Sequence, residues 1–168
     1  FLRRIVDDGS VAAVFCKMLP YDGTPIKETL MAQGRFNGDV CNPDYDFLDP
    51  RIARCYEAIG RTVGEWVRGS DCVAAMINHA WHEVFVMERL FEPAADLVAY
   101  KTALSAVTKF SNSILFSVVE EICDGFREGG GECQQYSGLG QIREQILATL
   151  VQQRNRFVYE NQSWLLKG

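Results

Sequence analysis

The sequence predicts an all-α domain in which one central apolar helix is wrapped by amphipathic helices. Three observations carry this expectation. Apolar residues recur every three to four positions over most of the chain, the spacing that puts them on one face of a helix. Proline, glycine and short runs of Asp, Asn and Ser fall between these stretches, where chain breaks are expected. No stretch shows the strict alternation of apolar and polar residues that marks a half-buried strand.

The first segment, Phe1 to Leu19, carries Leu2, Ile5, Val6, Val11, Val14, Phe15 and Met18 at helical spacing. It is expected to be a helix with a weak point at Gly9-Ser10 and a stop at Pro20. A long connection then runs from Pro20 to Pro50, rich in Gly, Pro, Asn and Asp. A short helix near Pro25–Gln33 is expected inside it, with Pro25 as its first residue. Asp49-Pro50 reads as a cap followed by proline at the first helical position, opening a helix that runs to Arg68 and ends at Gly69. Its apolar stripe is Ile52, Tyr56, Ile59, Val63 and Val67.

Ser70-Asp71 is expected to cap the next helix, Cys72 to Phe91. Pro93 breaks the chain and opens another, Ala94 to Phe110, which the small polar run Ser111-Asn112-Ser113 is expected to interrupt. Beyond it Ile114, Leu115, Phe116, Val118, Val119, Ile122, Cys123 and Phe126 are apolar around most of the helix, the signature of burial. Gly129-Gly130-Gly131 ends that helix. The last long one spans Leu139 to Tyr159, and a final turn holds Trp164, Leu165 and Leu166.

With 168 residues, 48% of them apolar and 23% charged, the chain is the size of one domain and can bury a core without staples. The net charge is −5 with no cluster of Lys or Arg, so no nucleic-acid partner is expected. No uninterrupted apolar run reaches about 18 residues, so no membrane-crossing helix is expected. Membrane contact would need an anchor beyond this sequence, and Asp7 and Asp8 come too soon after Phe1 for a secretory signal. The six cysteines form no CxxC pair, and reduced, cytosolic thiols are expected.

Catalytic constellations are weak. His79 and His82 share a helix face beside Glu83, a spacing that can hold zinc, but no third ligand has a recognisable position. Asp7-Asp8 and Glu120-Glu121 are sequence neighbours, so their carboxylates point apart and cannot converge on a substrate. The triple glycine lacks the Lys-Ser/Thr of a phosphate loop. No enzyme activity, metal or other cofactor is expected.

Three segments carry a resemblance. Ile52, Tyr56, Ile59 and Val63 stand at spacings of four, three and four, with the small Gly60 after the third, as in a BH3 motif; Tyr56 replaces the usual Leu and Arg61 the usual acid. Phe157-Val158-Tyr159-Glu160-Asn161-Gln162-Ser163-Trp164 is similar to a BH2 signature, departing only at Gln162. Ala99 to Phe116 is similar to the helix leading into BH1 and to the central helix after it. Of the BH1 core only Asn112 and Ser113 are left; its Trp and Arg are missing. In order and spacing, from residue 1 to 168, the chain resembles the Bcl-2 family.

The resemblance implies a single Bcl-2-like domain over 1–168, with a long loop at about 20–50. It also implies a hydrophobic groove that receives the BH3 helix of a pro-apoptotic Bcl-2 protein. By position the groove would be lined by Val63, Val67, Met76, Ala106, Phe110, Asn112, Ser113, Leu115 and Phe116. A small residue at Gly60 implies close helix packing there, Asn161 implies a cap, and Trp164 implies a plug at the end of the core. The implied role is inhibition of cell death, in the cytoplasm or at the mitochondrial outer membrane. The degenerate BH1 also resembles virus-encoded relatives. An apolar groove without a ligand is a patch that a homodimer would cover. The alternatives are a pore-forming, pro-apoptotic effector, an unrelated helical interaction domain, and a metal enzyme built on His79, His82 and Glu83. The missing acid at Arg61 weighs against the effector.

A plugging role for Trp164 predicts that Trp164→Ala costs about 3–5 kcal/mol in urea unfolding. A loss below about 1 kcal/mol would place the ring on the surface.

Overall fold

The described residues form six helices, and the first is much shorter than its apolar pattern implies. The computed structural model describes residues 1–90, 97–129 and 136–162. The helices are α1 (Leu2–Ile5), α2 (Pro25–Ala32), α3 (Pro50–Val67), α4 (Val73–Leu90), α5 (Leu97–Arg127) and α6 (Leu139–Glu160). Among the described residues there is no strand, only an isolated bridge between Phe36 and Tyr45. Phe91, Pro93, Ala94, Gly130, Gly131, Cys133, Trp164, Leu165 and Leu166, to which the sequence gives roles, lie outside the described residues.

Asp49 caps α3, its carboxylate accepting from the Arg51 amide at 2.8 Å, with Pro50 at the first position. Past the end of α3, Gly69 adopts φ +98°, a conformation that suits glycine. The cap of α4 differs from the expected Ser70-Asp71. Cys72 does this work: its Sγ accepts from the Ala75 amide at 3.3 Å, while Ser70 and Asp71 bond to each other.

The expected helix over Phe1–Leu19 is not formed; only Leu2–Ile5 is helical. Gly9 lies at φ +72°, and beyond it the exposure alternates from Ala13 to Met18, as in an extended chain. In an extended chain successive side chains point to opposite sides. Accordingly Ala13 and Phe15 pack against the core and Lys17 reaches Asp44 of the loop, while Val14, Cys16 and Met18 are exposed. Both sets are mostly apolar, so the alternation left no polar signature to read.

The expected interruption at Ser111-Asn112-Ser113 is also absent. α5 is continuous over 31 residues. The polar side chains find partners that spare the helix: Ser113 Oγ donates to the Phe110 carbonyl at 2.8 Å, and Asn112 bonds to the N-terminal segment. Because the two runs fuse, α5 becomes long and apolar enough, by length and composition, to cross a membrane, although no uninterrupted apolar run suggested it. Here its middle is buried within the bundle, with Leu104, Leu115, Val119 and Ile122 in the core.

α5 packs against α3, α4 and α6, and α4 also touches α3 and α6. Trp66 and Val63 of α3, Ile77 and Val84 of α4, and Ile146 and Leu150 of α6 close the core around it. Tyr100 of α5 stacks on Phe157 of α6 with ring centroids 4.8 Å apart. Arg154 of α6 reaches Glu83 of α4 at 2.9 Å.

Leu104 is 1% exposed at the centre of this arrangement. Leu104→Ala is expected to lower stability by about 2–5 kcal/mol in denaturant unfolding, from lost burial and the cavity left behind. A loss below about 1 kcal/mol would contradict the central position given to α5.

Candidate partner-binding cleft

α5 presents one long face to the N-terminal segment. Gly9 approaches it so closely that a Cβ there would stand 2.5 Å from the Ser105 carbonyl oxygen. Ser105 Oγ donates to the Asp8 carbonyl at 2.6 Å. Asn112 then works at both ends: Nδ2 donates to the Val11 carbonyl at 3.0 Å, and Oδ1 accepts from the Ala13 amide at 2.8 Å. Phe15 meets Phe116 edge to face, with centroids 5.5 Å apart. Arg3 lies over the Phe116 ring at 4.8 Å and ion-pairs with Glu120 at 2.7 Å. The hydrogen bond from Arg3 holds the Glu120 carboxyl below the usual carboxylate range. α3 and α4 join the clasp through the Tyr56 hydroxyl, which accepts from the Lys17 amide at 3.1 Å, and Asn78 Oδ1, which accepts from the Ala12 amide at 3.5 Å.

A different face of α5 is open. Ala106, Val107 and Phe110 form one wall of a cleft whose other wall is Gln145, Ile146, Ala148, Thr149 and Gln152 of α6. Its volume is about 560 Å³. Both walls follow helical spacing, so one face of each helix suffices to build it. Among the described residues no charged side chain lines it, and Phe110 is 49% exposed within it. A neighbouring hollow of about 760 Å³ on α6 shares Ala148 and Gln152 and adds Leu147, Val151 and Tyr159. Glu144, Asn155 and Arg156 also line it, so the apolar surface that continues across α6 is bordered by charge there.

A larger hollow, about 1040 Å³, lies between the N-terminal segment, the loop and α3. It is more polar, and Lys17 reaches into its wall. The Lys17 ammonium pairs with Asp44 at 2.5 Å and sits over the rings of Tyr45 and Phe47 at 4.4 and 4.8 Å. Its hydrogen bond holds the Asp44 carboxyl below the usual range.

The nine residues mapped to one groove are therefore distributed. Ala106 and Phe110 line the α5–α6 cleft. Val63 and Leu115 are core, at 2% and 3% exposure. Asn112 and Phe116 are buried beneath the N-terminal segment. Val67 and Met76 are half-buried against the core, and Ser113 is exposed. The α6 wall was missing from the sequence-based set, although Ile146 and Thr149 stand at helical spacing that could have suggested it.

Of the BH3-like residues, Ile52 is exposed, Tyr56 and Ile59 are half-buried, and Val63 is core. Tyr56 leans on Phe47 with centroids 5.6 Å apart. Gly60 does not serve close helix packing: the nearest atoms to a Cβ there belong to the flexible Arg68 side chain, at 2.8 Å. Asn161 caps α6, its amide nitrogens donating to the Phe157 carbonyl. Trp164 lies outside the described residues. His79 and His82 are exposed, His82 stacks on Phe85, and Glu83 is engaged by Arg154. Among the described residues no three His, Cys, Asp or Glu side chains are grouped to hold a metal ion. No family model, no curated protein and no solved structure matches this chain.

Removing the Asn112 side chain would leave the Ala13 amide and Val11 carbonyl unpaired. Asn112→Ala is expected to cost about 1–3 kcal/mol and to speed hydrogen exchange at the Ala13 amide. Unchanged exchange there would show that Asn112 does not hold the segment.

Proposed function

We propose that this chain binds an amphipathic helix, the BH3 segment of a pro-apoptotic Bcl-2 protein, in the cleft between α5 and α6, and so inhibits cell death. The observation that carries the reading is the cleft itself: apolar, uncharged, open, and containing Ala106 and Phe110. An amphipathic helix binds by laying apolar anchors at i, i+3/4 and i+7 into such a trough. The hollow's volume, about 560 Å³, is in the range of binding pockets, and a second hollow of about 760 Å³ adjoins it at Ala148 and Gln152. Gln145, Thr149 and Gln152 supply a neutral polar rim. The order of the BH3-like, BH1-like and BH2-like segments supports the choice of partner.

On this reading the chain works in the cytoplasm, at or near the mitochondrial outer membrane. The effector reading is less well supported. It requires the BH3-like face of α3 to be released, and Val63 on that face is 2% exposed within the core.

Calorimetric titration with a panel of BH3 peptides tests the proposal. At least one peptide is expected to bind at about 1 μM or tighter, and its copy with the anchor leucine changed to glutamate is expected not to bind. Ala106→Glu and Phe110→Glu, both at exposed positions, should keep full helicity by circular dichroism and weaken binding at least about tenfold, a loss of about 1.4 kcal/mol. Binding by no peptide, or unchanged affinity in both variants, would overturn the proposal.

A further inference from the structure

Two of the six cysteines face each other across the contact between α3 and α5. Cys55 lies on α3, beside Tyr56; Cys123 lies toward the C-terminal end of α5. Their Sγ atoms are 3.8 Å apart, and both residues are half-buried. A disulfide requires sulfurs at about 2.05 Å and side chains directed at each other. The two sulfurs already stand in contact across the gap between the helices. Closing from 3.8 Å to about 2.05 Å leaves a movement of about 1.8 Å, shared between two side chains. Other cysteines stand in different settings. Cys16 and Cys41 are exposed, and Cys72 is buried as the cap of α4.

From this juxtaposition we infer that Cys55 and Cys123 are a redox modification site, at which a low-molecular-weight disulfide of the glutathione class installs a reversible cross-link between α3 and α5. The thiolate of one cysteine attacks a sulfur of glutathione disulfide. The glutathione S–S bond breaks, the first glutathione leaves as thiolate, and it takes up the proton that the cysteine lost. The thiolate of the other cysteine then attacks the protein sulfur of the mixed disulfide. The Cys55–Cys123 bond forms, and the second glutathione leaves and is protonated. Two protein thiols are oxidised by two electrons, and one glutathione disulfide is reduced to two thiols.

The consequence follows from position. The pair is separated by 68 positions in sequence, so the bond closes a long loop and restricts the unfolded chain strongly. It also fixes α3 to the helix on which the core is built. The site lies apart from the α5–α6 cleft, and the inference does not depend on what that cleft binds.

The test equilibrates the purified full chain in glutathione buffers of graded oxidised-to-reduced ratio. Acid quenching, alkylation and mass spectrometry then follow the thiols. The expected product is about 2 Da lighter, gives one linked peptide containing Cys55 and Cys123, and reverts with dithiothreitol. Its melting temperature should rise by about 5–15 °C, and Cys55→Ser should abolish both the linked peptide and the rise. Should Cys55→Ser fail to fold, Cys123→Ser and the peptide map of the unaltered chain decide the matter. Three results would overturn the inference: glutathione retained on either cysteine, a bond from either to Cys16, Cys41, Cys72 or Cys133, or both thiols intact at every ratio.

Discussion

The structure depends on burying the middle of α5 together with its polar side chains. Thr108, Ser111 and Asn112 are all 5% exposed or less in the heart of the bundle. An unsatisfied buried amide costs about 1–3 kcal/mol, so such a helix is tolerated only where its polar groups have partners. Thr108 answers this within the bundle, donating to the Leu104 carbonyl and accepting from the Trp81 indole. Asn112 cannot, and its partners come from the backbone of Val11 and Ala13. That one requirement draws the N-terminal segment across α5 in extended form, because a helix would have spent those backbone groups on itself. Once the segment lies there, Phe15 covers Phe116, and the face of α5 bearing Ala106 and Phe110 is left open beside α6.

Much of the architecture was legible in the sequence because it rests on local chemistry. Pro25, Asp49-Pro50 and Gly69 each act on their own neighbours, and α2 and α3 begin and end within a residue or two of the expected bounds, as does α6 from its apolar spacing. The misreadings share one cause. Residues 11–18 look helical because apolar side chains are dense there, yet β-branched Val11 and Val14 favour helix only weakly, and bonds to α3, α4 and α5 decide the matter. Ser111-Asn112-Ser113 looks like a break for the reciprocal reason. The same distant contact accounts for both errors, and no local pattern reports it.

The site was legible only in part. The resemblance set the candidate groove residues by alignment along the chain, which carries no information about which side of α5 stays uncovered. Ala106 and Phe110 stand four positions apart on the open face; Asn112 and Phe116 stand four positions apart on the covered one. The partner surface we propose thus lies toward α6 rather than α3, and no motif signalled the wall that Ile146, Ala148 and Thr149 form there. Cys55 and Cys123 show the same limit, since nothing in their spacing along the chain brings two sulfurs together.

The central claim is that a partner helix docks on α5 and α6 while the N-terminal segment stays in place. Nuclear magnetic resonance of methyl-labelled protein, titrated with a binding BH3 peptide, addresses it directly. The account predicts that the methyl signals of Ala106, Val107, Ile146 and Ala148 shift, while those of Ala12, Ala13 and Val63 stay fixed. Large shifts at Ala12, Ala13 and Val63 with Ala106 and Ala148 unmoved would contradict it, and would put the partner where the N-terminal segment now lies.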